Sequence, residues 1–317
     1  MQVFKYQELV KGKYSEVDAL TVNKAMILIG GRVMKTAQVC HEYYDDVGDP
    51  EVVIQALKAI NTRVDLLTFI QRPPDTMPKY RYHLEWEGIA ALPITSFDQW
   101  WKKQILKETR RKIKRADNAG VEIRHVPFTD ELVHGIMKIF NETPVKGGRP
   151  FWHYGKDFST VKNQLGKDLD RSEFIAAFHG EEMIGFVKLL YAGGLASPVL
   201  NLSMLAHRDK MPGNALMAEI VRVCVSKHIP FVFYGVWKTR RGGMREFLEN
   251  NGFMKLDIPR YYVPLTIWGG VCLRLTLHRG ITSLLPENLT VTLLKLREIY
   301  YQKRFRRAAN HSVAQLG

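Results

Sequence analysis

The segment Lys210-Met-Pro-Gly213-Asn214-Ala215 stands where a chain can do chemistry with its backbone. Before it, residues 198–206 alternate Leu200, Leu202 and Met204 with Asn201 and Ser203, the period of a strand with one apolar face. After it, residues 214–228 read as a helix. Its polar groups Glu219, Arg222 and Ser226 form one narrow stripe, so the rest of its surface must lie against a sheet. A strand that ends in a glycine-containing turn and opens a helix leaves backbone N–H groups free at the positive end of the helix dipole, which is an anion site. Gly213 lets a phosphate approach with no Cβ in the way, and Ala215 keeps the first turn accessible. The loop lacks the second glycine and the Lys-Ser/Thr pair of a P-loop, and no GxGxxG occurs. On residue types alone, a strand–helix turn that binds nothing is the commoner outcome.

A second concentration lies between Thr143 and Tyr154, where Arg149, Trp152, His153 and Tyr154 crowd one loop. Aromatic plates beside an arginine suit a sugar or phosphosugar, with ring stacking and a guanidinium forked onto phosphate. A lid packed by its own aromatics accounts for the same residues equally well. Trp237 and Arg260 join this group as candidate acceptor contacts, Arg260 from within a strand. Cys40-His41-Glu42 with Asp45 and Asp46 has no HExxH or comparable ligand spacing, so no metal is expected. It reads as an acidic surface turn that could meet a cationic amine.

These groups need elements to hold them. Residues 25–29 and 33–40 read as a hairpin across Gly30-Gly31. Asp49-Pro50-Glu51 opens a helix to about residue 60, with a cap, a first-turn proline and an acid at the positive dipole end. Strands follow at 64–70 and 82–94. A basic helix spans 98–117 and ends at Gly120, before a strand at 121–125. Further helices fall at 129–141 and near 157–168, and a hairpin pairs 173–178 with 183–191. The strand at 198–206, the helix at 214–228 and a strand at 230–236 form a βαβ unit with parallel strands. A short helix at 244–250 stops at Gly252, and a strand closes at 261–265. The chain is therefore α/β.

Net charge is +14 over 317 residues, but it is concentrated. Residues 102–115 carry eight basic side chains against Glu108, and residues 295–307 carry six against Glu298, leaving the remainder nearly neutral. Such stripes attract nucleic acid, anionic lipid or a phosphorylated substrate, and equally well form solvated helix faces. Residues 289–309 read as an amphipathic helix with Leu289, Leu293 and Leu296 on one side, either closing a core or touching an anionic membrane. No apolar run approaches the ~20 residues of a membrane span. Nor does the N-terminus have a secretory layout. Three distant cysteines, Cys40, Cys224 and Cys272, suggest a reducing cytosol rather than a disulfide framework.

Lys210-x-x-Gly213-x-Ala215 resembles the pyrophosphate loop of the GNAT acyltransferase superfamily, Arg/Gln-x-x-Gly-x-Gly/Ala, with lysine in the first position. Phe247-Leu-Glu-Asn-Asn-Gly-Phe253 resembles that superfamily's short helix ending in Gly-Phe. Asn141-Glu-Thr-Pro144, Gly148-Arg-Pro-Phe-Trp-His-Tyr154 and Pro259-Arg-Tyr-Tyr-Val-Pro-Leu265 are similar to a GNAT-like branch associated with cell-surface polysaccharide loci. The basic helix followed by Gly120-Val121 is similar to the Fem-type aminoacyltransferases, which carry two GNAT-like halves. The likeness covers about Trp100 to Thr266 and implies a mixed sheet with flanking helices, present twice.

On that likeness the chain divides into an N-terminal α/β half (1–125), an acyl-donor half (126–270) and a basic extension (271–317). The donor, acetyl-coenzyme A or another acyl-coenzyme A, would lie between the strands 198–206 and 230–236, with Lys210, Gly213, Asn214 and Ala215 at its phosphates. The backbone of Leu205 and Ala206 would hold the acyl carbonyl, Tyr234 would be the general acid, and Asn201 or Ser203 would orient water or acceptor. The implied reaction moves an acyl group to an amine, on a nucleotide- or lipid-linked sugar. The alternatives are an aminoacyl-tRNA-dependent transferase using the basic helix on RNA, and a scaffold that binds polyanions or membrane without catalysis.

Overall fold

Alternating burial runs through most of the chain, and twelve of the strands it creates pair into one mixed sheet. The computed structural model describes residues 2–10, 13–73, 75–146, 149–237 and 243–279, so the expected helix at 289–309 lies outside the described residues. The first half runs antiparallel through β1 (Phe4–Val10), β2 (Lys13–Val22), β3 (Ala25–Gly30) and β4 (Thr36–Val39). Helix α1 (Pro50–Ala59) then crosses to β5 (Leu66–Ile70), parallel to β4. β6 (His83–Pro93) follows, then α2 (Phe97–Gln99), a π-helical turn at Trp100–Gln104, and α3 (Lys107–Asn118).

The second half repeats the scheme. β7 (Val121–Val126), α4 (Asp130–Asn141), a separate ribbon of β8 (Val145–Lys146) and β9 (Arg149–Pro150), and α5 (Phe158–Leu165) come first. β10 (Ser172–His179), β11 (Glu182–Ala192) and β12 (Leu195–Ser203) form the antiparallel run. Helix α6 (Pro212–Ser226) crosses to β13 (Phe231–Val236), parallel to β12. α7 (Gly243–Asn250), β14 (Met254–Pro264) and α8 (Ile267–Arg274) complete the described chain.

Sheet order is β1-β2-β3-β4-β5-β14-β6-β13-β12-β11-β10-β7. Read from either edge it gives the same roles: an antiparallel run, a strand–helix–strand step, then a sixth strand from the other half. β14 lies on β5, β6 lies on β13, and the two exchanged strands pair with each other from Met254↔Ala91 to Tyr262↔His83. β1 and β2 are additional to the strands expected from the sequence, and β14 begins seven residues earlier than the strand expected at 261–265.

Two faces of the second half are covered differently. Ile113 and Ala116 of α3 and the buried side of α6 pack with Ile175, Val187 and Ala196. Val133, Ile136 and Phe140 of α4 and Leu165 of α5 pack on the opposite face with Phe174, Phe186 and Met204. Leu200 and Leu202 join that second cluster, as the alternation along β12 requires. The division at residue 125 leaves α3 and β7 in the first half, although α3 packs on α6 and β7 pairs with β10.

The expected single helix at 98–117 is interrupted. The Trp100 indole donates to the Asn251 carbonyl (2.9 Å), and Thr109 Oγ1 donates to the Asn250 carbonyl (2.9 Å), docking this segment on the end of α7. Gly252, at φ +88°, is needed there, because a Cβ would stand 3.0 Å from Gln104 Cβ. A continuous helix cannot satisfy both anchors, so the chain loosens into the π turn.

Arg260 does not offer its charge to a substrate. Its Nη atoms donate to Glu42 (2.9 and 2.6 Å), and its Nε donates to Glu87, which also accepts from the Tyr43 hydroxyl. The acidic turn is likewise occupied, with Asp45 on Arg171 (2.6 Å) and Asp46 on Arg72 (2.7 Å). Replacing Arg260 with Met would leave Glu42 and Glu87 facing each other while mostly buried. Urea unfolding should show a loss of about 3–5 kcal/mol. An unchanged midpoint would show that the clamp does not hold the halves.

Candidate functional site

β12 and β13 are hydrogen-bonded as parallel neighbours only at Leu195↔Phe231 and Ala196↔Val232. Beyond these pairs β12 stays with β11 as far as Ser203↔Gly185, while β13 follows β6 through a register shift between Phe233 and Val236. Gly235, at φ +75°, supplies the backbone for that shift. The two strands therefore splay, and their inner edges lose each other as partners. The strands expected to flank the donor do part from each other beyond residue 196 on β12 and 232 on β13.

Helix α6 opens beside this splay without a cap. Met211 precedes it in the left-handed conformation (φ 54°, ψ 40°), Pro212 has no N–H, and the first turn carries neither a side-chain cap nor an acid. Its counterpart α1 is closed: Asp49 accepts from the Glu51 N–H (2.9 Å), and Glu51 adds a second negative charge. Of the two equivalent helix ends, only that of α6 is electrostatically open to an anion. A cavity of ≈ 360 Å³ lies against it, lined by Ser203, Arg208, Gly213, Asn214, Lys112 and Phe247, with Glu246 also at its wall. Among the described residues neither Lys112 nor Arg208 has a carboxylate partner. A Cβ built on Gly213 would meet only Ser203 Oγ, at 4.0 Å, so the space above this glycine is open.

Three donor-side groups have positions or partners that the sequence does not show. Lys210 does not line the cavity; it turns to Asp209 (3.7 Å), and Arg208 takes its place. Ala215 is buried in the core under α6, so it packs the helix down rather than facing a ligand. The N–H groups of Leu205 and Ala206 are not free, because each donates to a Glu142 oxygen at 2.7 Å.

Tyr234 sits in the splay on the α6 side, edge-on to Phe253 at 6.0 Å. Burial pushes its hydroxyl up to about 12, so it holds its proton at neutral pH, as a general acid must. Asn201 and Ser203 share one face of β12, but only Ser203 reaches the cavity. Trp237 is covered on one ring face by the Arg245 guanidinium at 4.9 Å.

The loop after α4 folds back over the end of β12. Lys146 Nζ donates to the Ser203 carbonyl (3.4 Å), and burial holds its ammonium below the usual lysine range. His153 is 5% exposed, tilted against Phe140 with ring centroids 4.2 Å apart, and its Nδ1 has no hydrogen-bond partner among the described residues. It is part of the lid's packing, so the sugar-plate reading fails for this residue. Trp152 and Tyr154 stay about half exposed, Trp152 beneath Lys156 at 4.1 Å. The Arg149 side chain lies outside the described residues. Sequence reasoning missed the roles of Lys112, Arg208 and Glu142, because the basic stripe around Lys112 and the Asn141–Pro144 stretch around Glu142 do not show what each meets; the chain brings them to the cavity and to the end of β12 from three separate elements.

No protein-family model matches the sequence, and no curated protein matches it. The fold is GNAT-like, with its strand scheme present twice in one chain. Among solved structures it is similar to the C-terminal domain of a protein described as a lysylphosphatidylglycerol synthetase from Agrobacterium fabrum: TM-score 0.55, 13% identity, 82% of this chain and 88% of that one. L-PGS from Bacillus licheniformis gives TM-score 0.55 at 16% identity, over 75% and 80% of the two chains. FemX gives TM-score 0.54 at 10% identity, over 81% and 87%. At these identities the likeness defines the fold.

Burial, with Lys156 and Lys146 nearby, pushes His153 down to about 4. Between that value and the ordinary imidazole value near 6.5, the unfolded chain binds a proton that the folded chain refuses. Stability should therefore fall as pH drops through this window, by on the order of 3 kcal/mol. Denaturant unfolding at pH 7, 6 and 5 should show the slope in wild type and a flatter one in His153→Phe. Equal slopes would mean that His153 protonates freely in the fold.

Proposed function

We propose that this chain is an N-acyltransferase that moves an acyl group, acetyl in the simplest case, from acyl-coenzyme A to an amine. The acceptor amine would lie on a nucleotide- or lipid-linked sugar of a cell-envelope polysaccharide. One observation carries this reading: the uncapped, acid-free start of α6 opens on a cavity walled by Lys112 and Arg208, while the equivalent α1 is capped by Asp49. A pyrophosphate there meets the Gly213 N–H, the helix dipole and two cations. The pantetheine runs into the splay between β12 and β13. The amine nitrogen bonds to the thioester carbon, the carbon–sulfur bond breaks, Tyr234 passes its proton to the departing sulfur, and the proton released by the amine nitrogen restores the Tyr234 hydroxyl. Trp152 and Tyr154 lie on the acceptor side.

A second reading has its own support. α3 exposes Lys107, Arg111, Lys114 and Arg115, while Lys112 of the same helix lines the donor cavity. An aminoacyl-tRNA could follow that stripe into the cavity, and relatives in fold include FemX and a lysylphosphatidylglycerol synthetase domain. The work would take place on the cytosolic side. Membrane contact through 289–309 stays a proposal from sequence, and no helix among the described residues is long and apolar enough to cross a membrane.

Thermal shifts with acetyl-coenzyme A, bulk tRNA and anionic vesicles separate these readings, and stabilisation by acetyl-coenzyme A alone supports the first. Gly213→Glu should abolish coenzyme A binding in calorimetry with the melting curve retained, and undiminished binding would sink the pyrophosphate assignment. Tyr234→Phe should lower kcat on the order of 10²-fold with donor affinity unchanged. An unchanged kcat would return Tyr234 to a packing role.

A further inference from the structure

Glu142 follows α4 and reaches across to the end of β12, where its two oxygens each accept a hydrogen bond of 2.7 Å from the consecutive N–H groups of Leu205 and Ala206. This spot does not need a carboxylate to satisfy its backbone. Ala206 is exposed and Leu205 is 45% exposed, so water could serve both amides. Ser203, two residues before Leu205, lines the donor cavity and has Lys146 on its carbonyl (3.4 Å). The pair of amides thus follows β12, two and three residues past Ser203 of the cavity wall, and holds a carboxylate through both of its oxygens.

We infer that the Glu142 carboxylate is an internal stand-in for the acyl oxygen of the donor, occupying the acyl-carbonyl subsite of the free protein until the donor displaces it. The inference rests on the acyl-coenzyme A reading. Each N–H stands 2.7 Å from its own carboxylate oxygen, within the ~2.7–3.1 Å of an oxyanion donor from its oxygen, so a single acyl oxygen would take the place of one of the two. A carboxylate is a stronger acceptor than a thioester carbonyl, so it keeps the subsite shut until the phosphate contacts at α6 add enough affinity to expel it. Lys146, on the same loop, gives the displaced carboxylate a nearby cation. Glu142 is thereby a positioning residue that makes acyl binding conditional on the rest of the donor.

The test compares acetyl-coenzyme A with coenzyme A, which shares every contact except the acyl group. Calorimetry on the full chain would measure both ligands with wild type, Glu142→Ala and Glu142→Gln, the glutamine keeping shape and one acceptor oxygen. Removal of the stand-in should tighten acetyl-coenzyme A about tenfold in Glu142→Ala, less in Glu142→Gln, and leave coenzyme A within about twofold. Equal loss for both ligands would make Glu142 a structural latch, and equal gain would make it a long-range repulsion of phosphate; either result overturns the inference. Binding by wild type that is lost in Gly213→Glu, with no acyl-dependent change at Glu142, keeps the donor reading and rejects the stand-in. Absence of binding by wild type rejects both.

Discussion

The pairing of β6 with β14 is the constraint on which the other features depend. Each strand is made by one half of the chain and used by the other, so neither half has a complete sheet alone. β13 has β12 on one side and β6 on the other, and it cannot follow both. It keeps the longer antiparallel ladder with β6 and leaves β12 after two residue pairs. Unpaired strand edges inside a sheet are costly unless something else meets their polar groups. The splay is therefore a place where a ligand can take over hydrogen bonds that the sheet has given up.

Doubling the fold does not double the site. The first half repeats the strand–helix–strand step at β4, α1 and β5, but the side chains around it close the position. Asp49 satisfies the start of α1, and Glu51 would repel an anion. The turn between β4 and α1 is drawn into the interface, where Glu42 clamps Arg260 and Asp45 meets Arg171. Tyr43 stacks on Phe233 of β13 at 5.1 Å, and the Tyr44 hydroxyl accepts from Ser197 of β12 at 3.4 Å. The first half thus works as a buttress behind the splay of the second. Glu42 and Asp45 bind the halves together and Asp46 holds Arg72 of its own half, which removes the amine-binding role that the turn suggests when read alone.

The aromatic loop after α4 divides its residues between two tasks. His153 and Phe151 face inward and fix the loop on Phe140, and the cost is a neutral imidazole with one unpartnered nitrogen. Trp152 and Tyr154 remain outside, where a ring could stack on them. The same loop brings Glu142 and Lys146 to the end of β12. Lid and site chemistry are therefore one element, so a movement of the loop would alter the backbone groups available at the splay.

The strand–helix–strand unit at 198–236, its buried helix, the cap at Asp49 and the glycine stop at 252 were all legible in the sequence. Each depends on local periodicity or on a single residue's backbone preference. The glycine of the candidate donor loop was legible for the same reason. Other features depend on which strand lies beside which, and local pattern does not carry that information. Strand exchange between the halves puts Arg260 between two carboxylates and makes it structural. The docking of Trp100 on Asn251 breaks the basic helix and turns Lys112 toward the cavity. The fold-back of the loop delivers Glu142 to amides some sixty residues downstream. Periodicity shows which face of an element is buried; only the packed sheet decides which charges meet across it, because electrostatic pairing acts through space and not along the chain.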